Sequence, residues 1–131
     1  MIVVDCSYTM AMVMPDETRP HNLSRALEGR LLAPTLWPFE VANVLRNVVR
    51  RGRLSEPDVP ALCARLEAYE IEVQGGGDAG VRQRYGAAQT HGLTAYDAAY
   101  LELALQRRCQ LATLDSRLAE AAVRAGVAVL D

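Results

Sequence analysis

The chain has 131 residues, half of them hydrophobic and 23% charged, and its formal net charge is −2. That length suits one domain with a real core, and the charge balance excludes a globally basic nucleic-acid binder, so any such contact must use local patches. All 14 basic residues are arginine, which excludes chemistry that needs a lysine, such as a P-loop on phosphates or a Schiff base.

Residues 2–4, IVV, form a β-branched run that reads as a buried strand ending at Asp5. TMAMVM reads as a short helical turn stopped by Pro15. RPHNLSRALEG reads as a helix, with Pro20 in its first turn and Gly29 just beyond its end. RLLAP is a second strand candidate. TLWPFEVANVLRNVVRRG is a strong helix: Pro38 is tolerated in its first turn, and Val41, Val44, Leu45, Val48 and Val49 recur at helical spacing. Gly52 closes it, and Arg46, Arg50, Arg51 and Arg53 crowd its last turns.

SEPDVPALCARLEAYE begins the next helix, with Ser55 and Asp58 at capping-box spacing. IEV is a brief strand candidate, and DAGVRQRYGAAQTHG is a helix ending at Gly92. GLTAYDAAYLELAL follows as a helix with Tyr96, Tyr100, Leu101, Leu103 and Leu105 expected inside and alanines allowing close packing. CQLATLD then reads as a strand, SRLAEAAVRAG as a helix and VAVL as a last strand. This alternation predicts one α/β domain over residues 1–131, with a mostly parallel central sheet of four to five strands flanked by helices.

The longest apolar runs are far short of a membrane span. The opening MIVVDCSY lacks a basic leader and meets an acid after four residues, unlike a signal peptide. Cys6, Cys63 and Cys109 are odd in number and widely spaced, so they read as small buried or half-buried residues of a reducing cytoplasm. His21 and His91 lack metal-ligand spacing and read as solvated helix positions.

GGGDAG, residues 75–80, matches the G-x-G-x-x-G pattern of dinucleotide binding between Gly75 and Gly80. The preceding strand candidate has only three residues, and the acid at a suitable distance, Asp97, lies inside a helix rather than at a strand end. A glycine-rich loop between helices explains the segment more simply.

Asp97 is a carboxylate in an otherwise greasy helix. Thr94 and Asp97 have capping-box spacing, and an acid in a first turn suits the helix dipole. Other acids converge on the same region. Two strands end in aspartate, at Asp5 and Asp115, and sites in parallel sheets form beyond the strand C-termini. Glu40 lies in the first turns of the WPFEVANVL helix. Each acid alone reads equally as a cap or a dipole partner. Four at one edge would repel, raising their pKa values, and would call for divalent cations.

MIVVDCS, PFEVANVLRN, LTAYDAAYLELAL and LATLDSRLA together resemble the four motifs of PIN-domain ribonucleases, above all the VapC-type toxins of toxin–antitoxin pairs. The resemblance covers nearly the whole chain, in order, although residues 16–32 and the QGGG stretch carry none of it. It implies that Asp5, Glu40, Asp97 and Asp115 bind Mg2+ or Mn2+ and cut single-stranded RNA, with Ser7 and Thr113 as polar support for the metal site. It further implies products with 5′-phosphate and 3′-hydroxyl ends, a homodimer, and a small cognate antitoxin as partner in the cytoplasm. Hard carboxylate oxygens suit such ions, and two of them would stand about 4 Å apart.

The arginines Arg46, Arg50, Arg51 and Arg53 are candidates for RNA phosphates, as is the pair Arg107 and Arg108; equally, cations favour helix C-termini. Competing readings are a non-catalytic PIN-like module that binds RNA or a partner, and a nucleotide-binding α/β domain built on Gly75 to Gly80. An aspartyl-phosphate phosphatase would want an acid two residues after Asp5, where Ser7 stands.

Overall fold

The computed structural model of the chain describes residues 1–75 and 79–131. Four strands, β1 (Ile2–Val4), β2 (Leu31–Pro34), β3 (Glu72–Gln74) and β4 (Gln110–Ala112), form one parallel sheet in the order β3-β2-β1-β4. Val3 and Val4 are fully buried, as expected of a β-branched run in a sheet covered on both faces. Val4 pairs with Ala112. The chain therefore leaves β1 for β2 on one side and returns with β4 on the other. The parting point lies between β1 and β4, where ligands bind in open α/β sheets.

The VAVL segment adds a single parallel bridge, Leu111 to Val129, rather than a fifth strand. Two backbone bonds hold it beside β4, and the Asn22 amide donates to the Leu130 carbonyl at 3.2 Å. Tyr8 donates its hydroxyl to the other end of Asn22 at 2.7 Å. Asn22 is spent on these contacts and makes no side-chain cap for α2 (Leu23–Ala26). That helix is one turn long, and Pro20 lies outside it. By contrast, α1 (Cys6–Val13) is longer than a single turn. It stops because Met14, preceding Pro15, is extended.

α3 (Trp37–Arg50) buries Trp37, Val41, Leu45 and Val48 as one stripe. The capping box expected at Ser55 does not form: Ser55 makes no side-chain cap bond. Pro57 and Pro60 instead divide the segment into a 3-10 turn (Glu56–Asp58) and α4 (Val59–Glu67). α5 (Val81–His91) buries no residue and ends at Gly92, whose φ of 65° turns the chain into α6 (Ala95–Arg107). His91 is not solvated as expected. Its ring lies 2.8 Å from Glu102 of α6, with 10% of the side chain exposed. His21 is exposed and lies outside any helix.

α6 packs on β1 and β2, burying Ala98, Ala99, Tyr100, Leu101, Leu103 and Ala104. Tyr96, expected inside, is exposed in the first turn, and Leu105 is half-buried. α7 (Ser116–Arg124) completes the cover with Leu118, Ala121 and Ala122. The three cysteines are free and half-buried. Among the described residues, no helix is long and apolar enough to cross a membrane.

The two capping-box spacings separate in a stability measurement. Thr94 accepts a bond from the Asp97 N–H and Ser55 accepts none. Thr94→Ala is expected to cost about 1 kcal/mol in urea titration, and Ser55→Ala under about 0.5 kcal/mol.

Candidate active site

Asp5 leaves the C-terminal end of β1 and is 5% exposed. Its N–H donates to the Ala112 carbonyl of β4 at 3.2 Å, which fixes it at the parting point of the sheet. Oδ1 accepts from the Tyr8 N–H and the Ser7 hydroxyl, both at 2.8 Å. Oδ2 accepts from the Thr113 hydroxyl, on the loop after β4. Asp5 is thus the N-cap of α1 and the bridge between two strand ends.

The same loop supplies Asp115, whose Oδ1 accepts from the N–H groups of Arg117 and Leu118 and caps α7. Thr113 and Ser7 tie the two acids together. Thr113 Oγ1 accepts the Asp115 N–H at 3.0 Å, and Ser7 Oγ accepts the Leu114 N–H at 3.1 Å.

Glu40 and Asp97 come from the first turns of α3 and α6. The Tyr100 hydroxyl donates to Glu40 Oε1 at 2.6 Å. Sequence reasoning placed Tyr100 in the core and missed this bond. The signal for it was the hydroxyl itself, because a buried tyrosine finds a partner for its O–H. Asp97 is capped from below: its N–H donates to Thr94 Oγ1 at 3.1 Å.

The electrostatics link the four acids. Burial pushes the Asp5 carboxyl from 3.8 up to about 6; the hydrogen bonds from Thr113, Tyr8 and Ser7 pull it down, and the Asp115 charge adds to the rise. Burial also raises Asp97, again with Asp115 adding, and raises Glu40, with Asp97 adding. Repulsion between the acids is present, but burial is the leading cause of each shift. Burial pushes the Cys6 thiol up to about 12, helped by the charges of Glu40 and Asp5, which rules it out as a neutral-pH nucleophile.

Among the described residues, no arginine lies within ion-pair distance of these acids. Arg117 of α7 acts on Asp97 through its charge. The other arginines are placed differently. Arg53 pairs with Asp16 at 2.9 Å and with Glu17 at 3.8 Å. Arg46 and Arg50 flank an apolar groove between α3 and α4, and Arg50 stands about 15 Å along the helix from Glu40 at 1.5 Å per residue. Arg107 and Arg108 end α6, far from Asp97.

The PIN domain family matches residues 2–124. The chain belongs to the PIN-domain family. Ribonuclease VapC3 of Pyrobaculum aerophilum is 35% identical, over 91% of this chain and 92% of that protein. Ribonuclease VapC9 of Mycobacterium tuberculosis is 32% identical, over 92% of this chain and 90% of its own length. The crystal structure of PAE2754 from Pyrobaculum aerophilum superimposes with a TM-score of 0.73 at 22% identity, over 98% of this chain and 83% of that one, and shares the fold. The PIN-domain match runs through the GGGDAG segment, which lies partly outside the described residues.

The donor set suits a hard divalent cation, being carboxylate oxygens without a competing arginine. Among the described residues, no three acidic, histidine or cysteine side chains already stand close enough to enclose an ion. The four acids line one edge without gripping it.

The raised Asp5 carboxyl gives a pH dependence of definite sign. Without metal, a group raised from 3.8 to about 6 stays protonated in the fold at pH values where the unfolded chain has ionised it. Its stability contribution is full below the unfolded value and is lost as pH rises through the folded one, by at most about 3 kcal/mol. Asp5→Asn is expected to flatten the fall in stability between about pH 4 and 7 in denaturant titrations with chelator. An equal fall in both proteins would overturn the assignment.

Proposed function

We propose that residues 1–131 act as one nuclease domain, a divalent-metal-dependent endoribonuclease that hydrolyses single-stranded RNA as the toxin of a toxin–antitoxin pair. The observation that carries this reading is the placement of Asp5 at the end of β1 and of Asp115 on the loop after the adjoining β4, electrostatically coupled to Asp97 and, through it, to Glu40. The ribonuclease names of the VapC relatives support the substrate class. We further propose Mg2+ or Mn2+ as the metal, a homodimer, a small cognate antitoxin as partner, and a cytoplasmic location.

Asp5, Glu40, Asp97 and Asp115 would hold the metal. Held there, a divalent cation would supply Lewis-acid polarisation of a phosphate oxygen and an acidified water. The chain's own groups prepare the ligands. Ser7 and Thr113 donate to the two oxygens of Asp5 and fix its plane. Tyr100 donates to one oxygen of Glu40, leaving the other free. Two backbone N–H groups fix Oδ1 of Asp115. No histidine or lysine base is required. Such supporting groups orient the carboxylates and keep their charge tolerable in a buried place.

The purified protein, free of antitoxin, should cut single-stranded RNA with Mg2+ or Mn2+ and stop in EDTA. Asp97→Asn should abolish cutting and reduce the gain in melting temperature on adding Mn2+. Tyr100→Phe should lower metal affinity or activity about 10- to 100-fold. Undiminished cleavage in EDTA would sink the metal dependence.

Arg46, Arg50 and Arg51 are proposed phosphate contacts on the outer part of α3, and Arg53 joins them only if it leaves Asp16 and Glu17. Arg50→Ala with Arg51→Ala should weaken RNA binding and reduce its salt slope by about 1 to 2. An unchanged slope with an intact fold would return both residues to capping the helix dipole.

A further inference from the structure

Three exposed apolar side chains stand directly before three of the acids in the chain: Phe39 before Glu40, Tyr96 before Asp97 and Leu114 before Asp115. They are 78%, 65% and 55% exposed, whereas Tyr8 and Tyr100 are each 1% exposed. Phe39 is the chain's one phenylalanine. A single surface ring would carry nothing, because scattered exposed apolar residues are normal. Their position carries the argument. Phe39–Glu40 and Tyr96–Asp97 are consecutive in the first turns of α3 and α6, where neighbouring side chains point about 100° apart, and Leu114 lies on the loop directly before the α7 cap. The acids themselves are electrostatically coupled, Glu40 to Asp97 and Asp97 to Asp115. The apolar residues therefore border one edge of the sheet, around the carboxylates.

We infer that Phe39 and Tyr96 are stacking platforms for unpaired RNA bases on either side of the scissile phosphate, with Leu114 as an apolar wall beside Asp115. This rests on the ribonuclease reading and names what the site selects: a strand whose bases are free to leave their own stack. The electrostatic alternative is weak at this edge. The edge is acidic, the chain is net negative, and among the described residues the arginine whose charge acts on Asp97 is Arg117. Ring stacking adds affinity without opposing the acids, and it accepts any base because every base has a π face. A duplex keeps its bases stacked on each other and presents none to the rings.

Binding of a fluorescent single-stranded RNA containing 2-aminopurine, measured on the inactive Asp5→Asn protein in Mg2+, tests this apart from cutting. Adding Phe39→Ala or Tyr96→Ala should raise Kd by roughly fivefold to a hundredfold each, with an unchanged salt slope and less 2-aminopurine quenching. Tyr96→Phe and Phe39→Trp should retain binding and quenching. Both sites are exposed, so the variants should keep the wild-type circular dichroism spectrum. Unchanged Kd and quenching would overturn the inference. So would a change confined to oligomeric state in sedimentation, which would make the rings a protein interface. Wild-type protein that cuts RNA while the ring variants bind it equally well fails this inference alone. Wild-type protein that binds through the rings but cuts nothing fails the ribonuclease reading alone.

Discussion

The buried carboxylate of Asp5 is the constraint on which the rest of the structure depends. A carboxylate taken out of water is costly unless hydrogen bonds satisfy it. Here the donors are the Ser7 hydroxyl, the Tyr8 N–H and the Thr113 hydroxyl. Two of them belong to the helix that Asp5 itself starts, and the third belongs to the loop after β4. Satisfying one acid therefore fixes the start of α1, the end of β1 and the approach of the β4 loop together. The donors do not fully offset burial, so the carboxyl remains raised to about 6. That residual cost is what a cation at the same edge would relieve.

Capping a helix and standing at the proposed site go together in this fold. Asp5 caps α1, Asp115 caps α7, and Asp97 sits over the Thr94 cap of α6. In a parallel sheet the helices that follow strand ends begin at the C-terminal edge. The N–H groups that open those helices point at that edge and orient carboxylates there. An acid placed to start a helix is thereby also placed to line the crevice between β1 and β4.

Much of this was legible in the chain because it depends on local pattern. The strand before Asp5, the periodic helix over Trp37–Arg50 and the Gly92 stop all stand where local chemistry put them. The strand expected to run to Asp115 ends earlier, at Ala112, because Asp115 is used to cap α7. What was hidden depends on partners distant in sequence. Glu40 and Tyr100 are sixty positions apart, and their bond exists only after α6 lies beside α3. The His91–Glu102 contact needs α5 folded back on α6. The helix expected around Pro20 shrinks to one turn, and Asn22 before it is held by Tyr8 and Leu130, 14 and 108 positions away. Ser55 matched a spacing, but Pro57 and Pro60 reshaped the turn. Tyr96 shares the helical spacing of Tyr100, yet it stands in the first turn of α6 and is 65% exposed.

The charges are laid out along the helices. Acids stand at the starts of α3 and α6, and arginines stand at their ends, with Arg50 and Arg107 in the last turns. Each arrangement complements the helix dipole, so it stabilises the helices whatever else the protein does. The consequence for a nucleic acid is directional. A polyanion is repelled by the bare acidic edge and attracted some 15 Å away along α3, by the rise per residue. Reaching the edge requires something that offsets the acids there. A cation does so by charge, and exposed rings do so without charge. On the proposed reading, the gradient that makes the metal-free crevice unattractive to RNA would be reversed by a bound cation, and a loaded crevice with Phe39 and Tyr96 beside it would hold the strand by its phosphates and its bases together.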